Sequence, residues 1–95
     1  MLDFYLISDE QPDDYPLTHA VEYAGGIKMR EFEQAQHAHI IDYQLGFFDD
    51  FRWSSTQVRQ RLVKVYETHS EQFDALRGIL QQAMEMNCGV IAFCD

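Results

Sequence analysis

The chain has few basic residues and no long apolar run. It contains 7 Lys and Arg against 16 Asp and Glu, for a net charge of −9. Nucleic acids and anionic membranes both bind positive surfaces, so this balance argues against either as a partner. No stretch approaches the roughly 20 apolar residues that a membrane helix needs. The first residues carry no basic stretch ahead of an apolar one, so we expect no secretory signal.

Cysteine is also scarce. The two cysteines, Cys88 and Cys94, both lie near the end of the sequence. In a single strand, with a rise of about 3.4 Å per residue, they would lie roughly 20 Å apart. A disulfide requires Cα atoms within about 7 Å, so a bridge between them is excluded on this interpretation. Two unbridged thiols are typical of a reducing compartment, and we expect a cytoplasmic protein.

The length of 95 residues fits one domain, and 46% hydrophobic residues are enough for a modest core. The negative charge is unevenly distributed. Residues 1–51 contain eleven acids and two bases, whereas residues 52–95 contain five of each. Such a field would steer a basic protein toward the N-terminal half. It also serves solubility, which is the simpler interpretation.

Residues 2–7 and 90–94 are rich in β-forming residues and predict two strands. The second is apolar on both faces, which is typical of a central strand, and we expect the two to be neighbours. An acidic run with both prolines, residues 8–16, predicts an exposed loop. A short strand over residues 20–24, ended by a glycine pair, and a helix over residues 28–38 are predicted to follow.

Two helices are predicted in the C-terminal half. Ser54 and Gln57 form a capping-box pattern, and Ser70 can cap a second helix over residues 70–87. The expected apolar faces consist of Val58, Leu62, Val65 and Tyr66 in the first helix, and Phe73, Leu76, Leu80, Ala83 and Met84 in the second. The predicted fold class is therefore α+β: a small three- or four-stranded sheet including both chain termini, with two long C-terminal helices packed on one face.

Residues 39–43 are β-prone and predict a strand or a loop, and with His37 they contain a candidate metal site. In a strand, His37 and His39 would point to the same side and could share a metal ion with Asp42. This pattern gives one functional hypothesis, a small metal-dependent enzyme or metal-binding protein. The competing interpretation is two surface histidines, since short ligand patterns without a supporting motif are often accidental. We expect no other cofactor.

The most unusual stretch is residues 43–53, which hold five aromatic residues in eleven positions. Aromatic side chains together with Arg are typical anchors of protein interfaces. Alternatively, these rings fill the core, with Trp53 packing on the helix that follows Ser54. The candidate partner-binding residues are Tyr43, Phe48, Asp49, Asp50, Arg52 and Trp53.

The sequence contains no nucleophile elbow and no phosphate-binding glycine motif. We therefore expect a non-enzymatic protein-binding domain, of the kind that inhibitors and immunity proteins represent. Its partner would be a basic protein, and a homodimer through the aromatic stretch is the alternative. The metal-dependent enzyme remains the second hypothesis.

Overall fold

A four-stranded antiparallel sheet carries three helices. This computed structural model describes residues 1–11 and 21–94, without the side chain of Val21. Most of the predicted 8–16 loop and the start of the predicted second strand lie outside these residues. The elements are β1 (Leu2–Ile7), β2 (Val21–Ile27), α1 (Met29–His37), β3 (Phe51–Trp53), α2 (Ser55–Thr68), a 3₁₀ helix (Glu71–Phe73), α3 (Asp74–Glu85) and β4 (Gly89–Cys94).

The sheet order is β2-β1-β4-β3. The first and last strands therefore pair at the centre, as their composition predicts, and Phe4 lies opposite Ala92. Side chains of alternate residues point to one face, where Leu2, Phe4, Val90 and Ala92 are fully buried. The predicted α+β fold, with both termini in the sheet, is confirmed.

The helices α2 and α3 bury their apolar stripes in the same core as the sheet. Two predicted members of these stripes are wrong, because Tyr66 and Met84 are 46% and 43% exposed. Ile79 is buried instead. It lies three residues after Leu76 and four before Ala83, which places it at the centre of the helical face that they define.

Local capping signals act as the sequence predicts. The Ser54 hydroxyl accepts from the backbone N–H of Gln57, whose side chain accepts in return from the Ser54 N–H. The helix ends at His69 in a left-handed conformation. Ser70 caps a 3₁₀ helix by accepting from the backbone N–H of Gln72, so the predicted 70–87 helix begins with a tighter turn than expected.

The glycine pair does not end β2, as predicted, but lies within it. The pairing register with β1 shifts between Phe4 and Tyr5, which marks a bulge opposite them. Gly25 has φ 139°, a backbone conformation that residues with a side chain rarely adopt. A Cβ there would also lie 3.1 Å from Cγ1 of Ile79. The glycines therefore do not interrupt β2, and Gly25 allows its close approach to α3.

Residues 39–43 form a loop, one of the two predicted alternatives, and not a strand; the strand in this part of the chain is β3. His39 has φ 61°, which turns the chain sharply after α1. The backbone N–H groups of Ile40 and Ile41 both donate to the carbonyl of Ala35, at 2.8 and 3.2 Å. Because these amides close the end of α1, they are not available for a strand ladder.

Gly89 allows the start of β4 to approach the junction between β3 and α2. A Cβ on Gly89 would lie 2.2 Å from the backbone oxygen of Trp53 and 3.1 Å from the carbonyl carbon of Ser54. We expect Gly89→Ala to lower the free energy of unfolding by about 1–3 kcal/mol, as overpacking does. Urea denaturation measures this difference.

The matched control is Gly78→Ala in α3, where a Cβ meets nothing within 4 Å. This substitution is expected to stabilise the protein by up to about 1 kcal/mol, since Ala is the better helix former. If Gly89→Ala stabilised the protein as Gly78→Ala is expected to do, the junction would have room for a side chain and the prediction would be wrong.

Candidate partner-binding surface

Residues 38–50 connect α1 to β3 without regular structure, and we call them the connecting segment. Side chains from the neighbouring helices hold its backbone. Gln36 Nε2 donates to the carbonyls of Asp42 and Leu45, at 3.0 and 2.7 Å. Lys64 Nζ donates to the carbonyl of His39 at 3.1 Å. These bonds replace the strand or helix ladder that the segment lacks.

Arg61 in α2 makes the most extensive of these contacts. Its Nη1 donates to the carbonyl of Ile40 at 3.0 Å, and its Nη2 lies 3.4 Å from Oδ2 of Asp42. The guanidinium carbon lies 4.5 Å from the ring centroid of Trp53, a cation–π contact. The Arg61 side chain is only 12% exposed. It therefore joins the connecting segment, α2 and β3 at one point.

A tight turn carries the acidic residues of the connecting segment. Asp49 Oδ2 accepts from the backbone N–H of Gly46 at 2.6 Å, and the Asp49 N–H donates to the Gly46 carbonyl at 3.0 Å. Asp49 therefore fixes its own turn, as Asp side chains commonly do. Asp50 follows directly and is exposed.

The aromatic rings of residues 43–53 are divided between the core and the surface. Phe47 lies edge-on to buried Phe32, with ring centroids 5.5 Å apart. Phe48 contacts Phe47 at 5.3 Å but is 73% exposed. Tyr43 is 61% exposed and lies 6.0 Å from the ring of His39. The segment thus has an inner ring that anchors it and two outer rings that face solvent.

Trp53 and Arg52 lie elsewhere. Trp53 is 2% exposed and packs on Phe4 and Phe51, with ring centroids 6.0 and 5.1 Å away. Arg52 is half-buried, and its Nη2 donates to the carbonyl of Ser8 at 2.8 Å. Successive residues of a strand point to opposite faces, so Arg52 lies away from the Trp53 side of the sheet.

Four of the six candidate residues are therefore exposed on the connecting segment. We call them the partner surface: Tyr43, Phe48, Asp49 and Asp50. The prediction that Trp53 is also available to a partner is corrected by its burial, and it belongs to the core as the alternative interpretation had it.

The strand alignment on which the predicted metal site depends is not present in the part of the chain that the structure describes. His37 ends α1, whereas His39 adopts a left-handed turn, so the strand spacing that would align them is not present. Asp42 pairs with Arg61, and the Tyr43 ring lies against both imidazoles. Across residues 1–11 and 21–94, no three His, Cys, Asp or Glu side chains are grouped suitably for a metal ion.

Asp9 makes a structural contact that sequence reasoning missed. Its carboxylate accepts from the backbone N–H of Ser55 at 2.8 Å and from the Ser55 hydroxyl at 2.5 Å. These hydrogen bonds, the hydroxyl first, lower the pKa of Asp9 below its usual value. The contact joins the end of β1 to the first turn of α2, where a helix favours negative charge. No local pattern could reveal it, because the partners are 46 residues apart.

Comparisons with models of protein families, with curated proteins and with solved structures find no match for the chain. None of the helices in the described residues has the length and apolar character required to cross a bilayer.

The Asp9 contact predicts an acid-sensitive contribution to stability. A carboxyl group whose pKa is lowered by folding stabilises the protein above its unfolded pKa of about 3.9, and this contribution is lost as pH falls through the folded value. Asp9→Asn should therefore destabilise the protein at neutral pH, and the two stability curves should converge in acid. Thermal melts across this pH range test the expectation. Curves that stay parallel would contradict the expectation. Ser55→Ala removes the hydroxyl donor but keeps the backbone N–H, so it should reduce the pH-dependent stabilisation by Asp9 only in part.

Arg61→Ala is expected to loosen the connecting segment and to lower the free energy of unfolding by about 1–3 kcal/mol, since a carbonyl loses a charged donor. Hydrogen exchange should accelerate at the amide of Leu45, which donates to the carbonyl of Asp42, a residue that Arg61 contacts. Arg61→Lys should restore little, because Lys lacks the planar fork. The control is Gln60→Ala, on the exposed side of α2. If hydrogen exchange in Arg61→Ala is unchanged, the connecting segment stays ordered without Arg61 and the prediction is wrong.

Proposed function

We propose that this protein is a non-enzymatic protein-binding domain that engages a basic partner through the partner surface. The observation that carries the proposal is Phe48, whose ring is 73% exposed although the residues around it are held by hydrogen bonds. An aromatic ring on a fixed frame is a typical interface anchor. Binding then loses little conformational freedom, because the backbone is already ordered.

Charge supports a basic partner. Asp49 and Asp50 follow Phe48 directly, and the segment lies in the half of the chain that holds the whole net charge of −9. Acidic residues around an aromatic anchor accelerate the encounter with a positive surface and reject negative ones. A second copy of this chain would bring like charges together, so a basic protein fits the surface better than a homodimer does.

The cysteines support a reducing compartment such as the cytoplasm for this activity. Cys88 directly precedes β4 and Cys94 ends it, so the strand itself separates the two thiols. An inhibitor or an immunity protein has the required properties: a small acidic fold, a preformed surface and no catalytic group of its own.

The test is affinity capture from the native lysate with tagged protein, at low and moderate salt, followed by calorimetry on the captured partner. We expect a basic protein that is retained at low salt and released as salt rises. Phe48→Ala should weaken binding by about 2 kcal/mol or more, roughly 30-fold, as loss of a hot-spot ring does.

Matched variants separate the ring from the charge. Asp50→Asn should slow association and flatten the salt dependence. Asp49→Asn should act similarly, because Asn keeps an oxygen that can accept the Gly46 N–H and maintain the turn. Val63→Ala is the control, because Val63 is 55% exposed on α2 outside the partner surface. A partner that binds Phe48→Ala as tightly as the natural sequence, or with no salt dependence, would contradict the proposal.

A further inference from the structure

A cavity of about 310 Å³ lies between the first turns of α1 and α3, beside the end of β2. This volume is at the lower end of the range of small-molecule sites, roughly 300–1,000 Å³. Its lining includes Gly26, Gln34 and Ala75, and it lies at the opposite end of α1 from the connecting segment.

Both bases of the first 51 residues, Lys28 and Arg30, line this cavity. In the described part of the chain neither forms an ion pair. Lys28 is also the N-cap of α1 and provides no side-chain hydrogen bond to the first turn. The unbonded N–H groups of a helix start add to the positive potential there. Lys28 and Arg30, both exposed, therefore bring positive charge to this cavity on a strongly acidic protein.

The same cavity contains a half-buried carboxylate, that of Glu31. Its Oε2 accepts from the backbone N–H of Leu76 at 2.9 Å, in the first turn of α3. No hydrogen bond to Oε1 occurs within residues 1–11 and 21–94. Burial raises the pKa of Glu31, despite the Leu76 hydrogen bond that opposes it. The carboxylate is thus partly desolvated, lies near the like charge of Asp74 and has no ion-pair partner among the described residues. A bound cationic group would relieve this state.

We propose that this cavity binds a free α-amino acid with an apolar side chain. The ligand carboxylate would pair with Lys28 and Arg30, its ammonium group with Glu31, and its side chain would lie against Ala75. A simple anion would be repelled by Glu31, and a simple cation by the two bases. A zwitterion satisfies both signs of charge at once. This site is separate from the partner surface, so its test does not depend on whether the proposed function is correct.

The binding test is an NMR titration that follows the backbone amides of Glu31 and Leu76. The probes are L-leucine, L-methionine and L-phenylalanine, with L-leucinamide and 4-methylpentanoate as analogues that lack one charged group each. We expect saturable shifts with at least one amino acid, and an affinity about tenfold or more above that of the matching analogues. No response to any of the three at millimolar concentration, or equal affinity for leucine and both analogues, would overturn the proposal.

Variants assign the charges. Glu31→Gln keeps an acceptor for the Leu76 N–H, and should weaken L-leucine about tenfold while leaving 4-methylpentanoate no weaker. The double variant Lys28→Gln, Arg30→Gln should weaken L-leucine similarly and leave L-leucinamide no weaker. Glu33→Gln, exposed on α1 outside the cavity, is the matched control. If all variants bind L-leucine equally, the shifts arise elsewhere and the site is refuted.

Discussion

The pairing of β1 with β4 fixes the position of β3, of the start of α2 and of the residues that follow β1. Six residue pairs, from Leu2 with Cys94 to Ile7 with Gly89, join the two ends of the described chain at the centre of the sheet. This ladder sets Gly89 against the β3–α2 junction, where a single added carbon has no room. It also brings the residues after β1 to the start of α2. The apolar face of these strands is buried in the same core as α2 and α3, so strand order and helix packing depend on each other.

The connecting segment shows how irregular backbone can be held in place. Its carbonyls are bonded by side chains of α1 and α2, and one inner ring, Phe47, anchors it to the core. The outer ring of Phe48 follows directly and faces solvent because its neighbour takes the inward position. The packing of Phe47 against the core therefore both stabilises the segment and leaves the ring of Phe48 exposed. A partner would meet a preformed surface.

Helix α1 separates the two proposed sites. Its last turn supports the partner surface through Gln36, and its first turn forms one wall of the cavity through Lys28, Arg30 and Glu31. The charge distribution differs accordingly. Two acids of the N-terminal half, Asp49 and Asp50, lie on the proposed partner surface, while the two bases of that half line the cavity. A short helix can carry both features because its two ends are surrounded by different elements.

Local signals in the sequence were enough to predict the two central strands, the capping box at Ser54 and the α+β class, because each depends on residues close together in the chain. The position of β3, the bulge in β2 and the partial burial of Phe47 but not of Phe48 were not predictable in this way. They depend on contacts such as Arg61 with Ile40 and Gly25 with Ile79, which join distant segments. Adjacent aromatic residues have the same local preference, so only the packing of the whole chain decides which ring is buried.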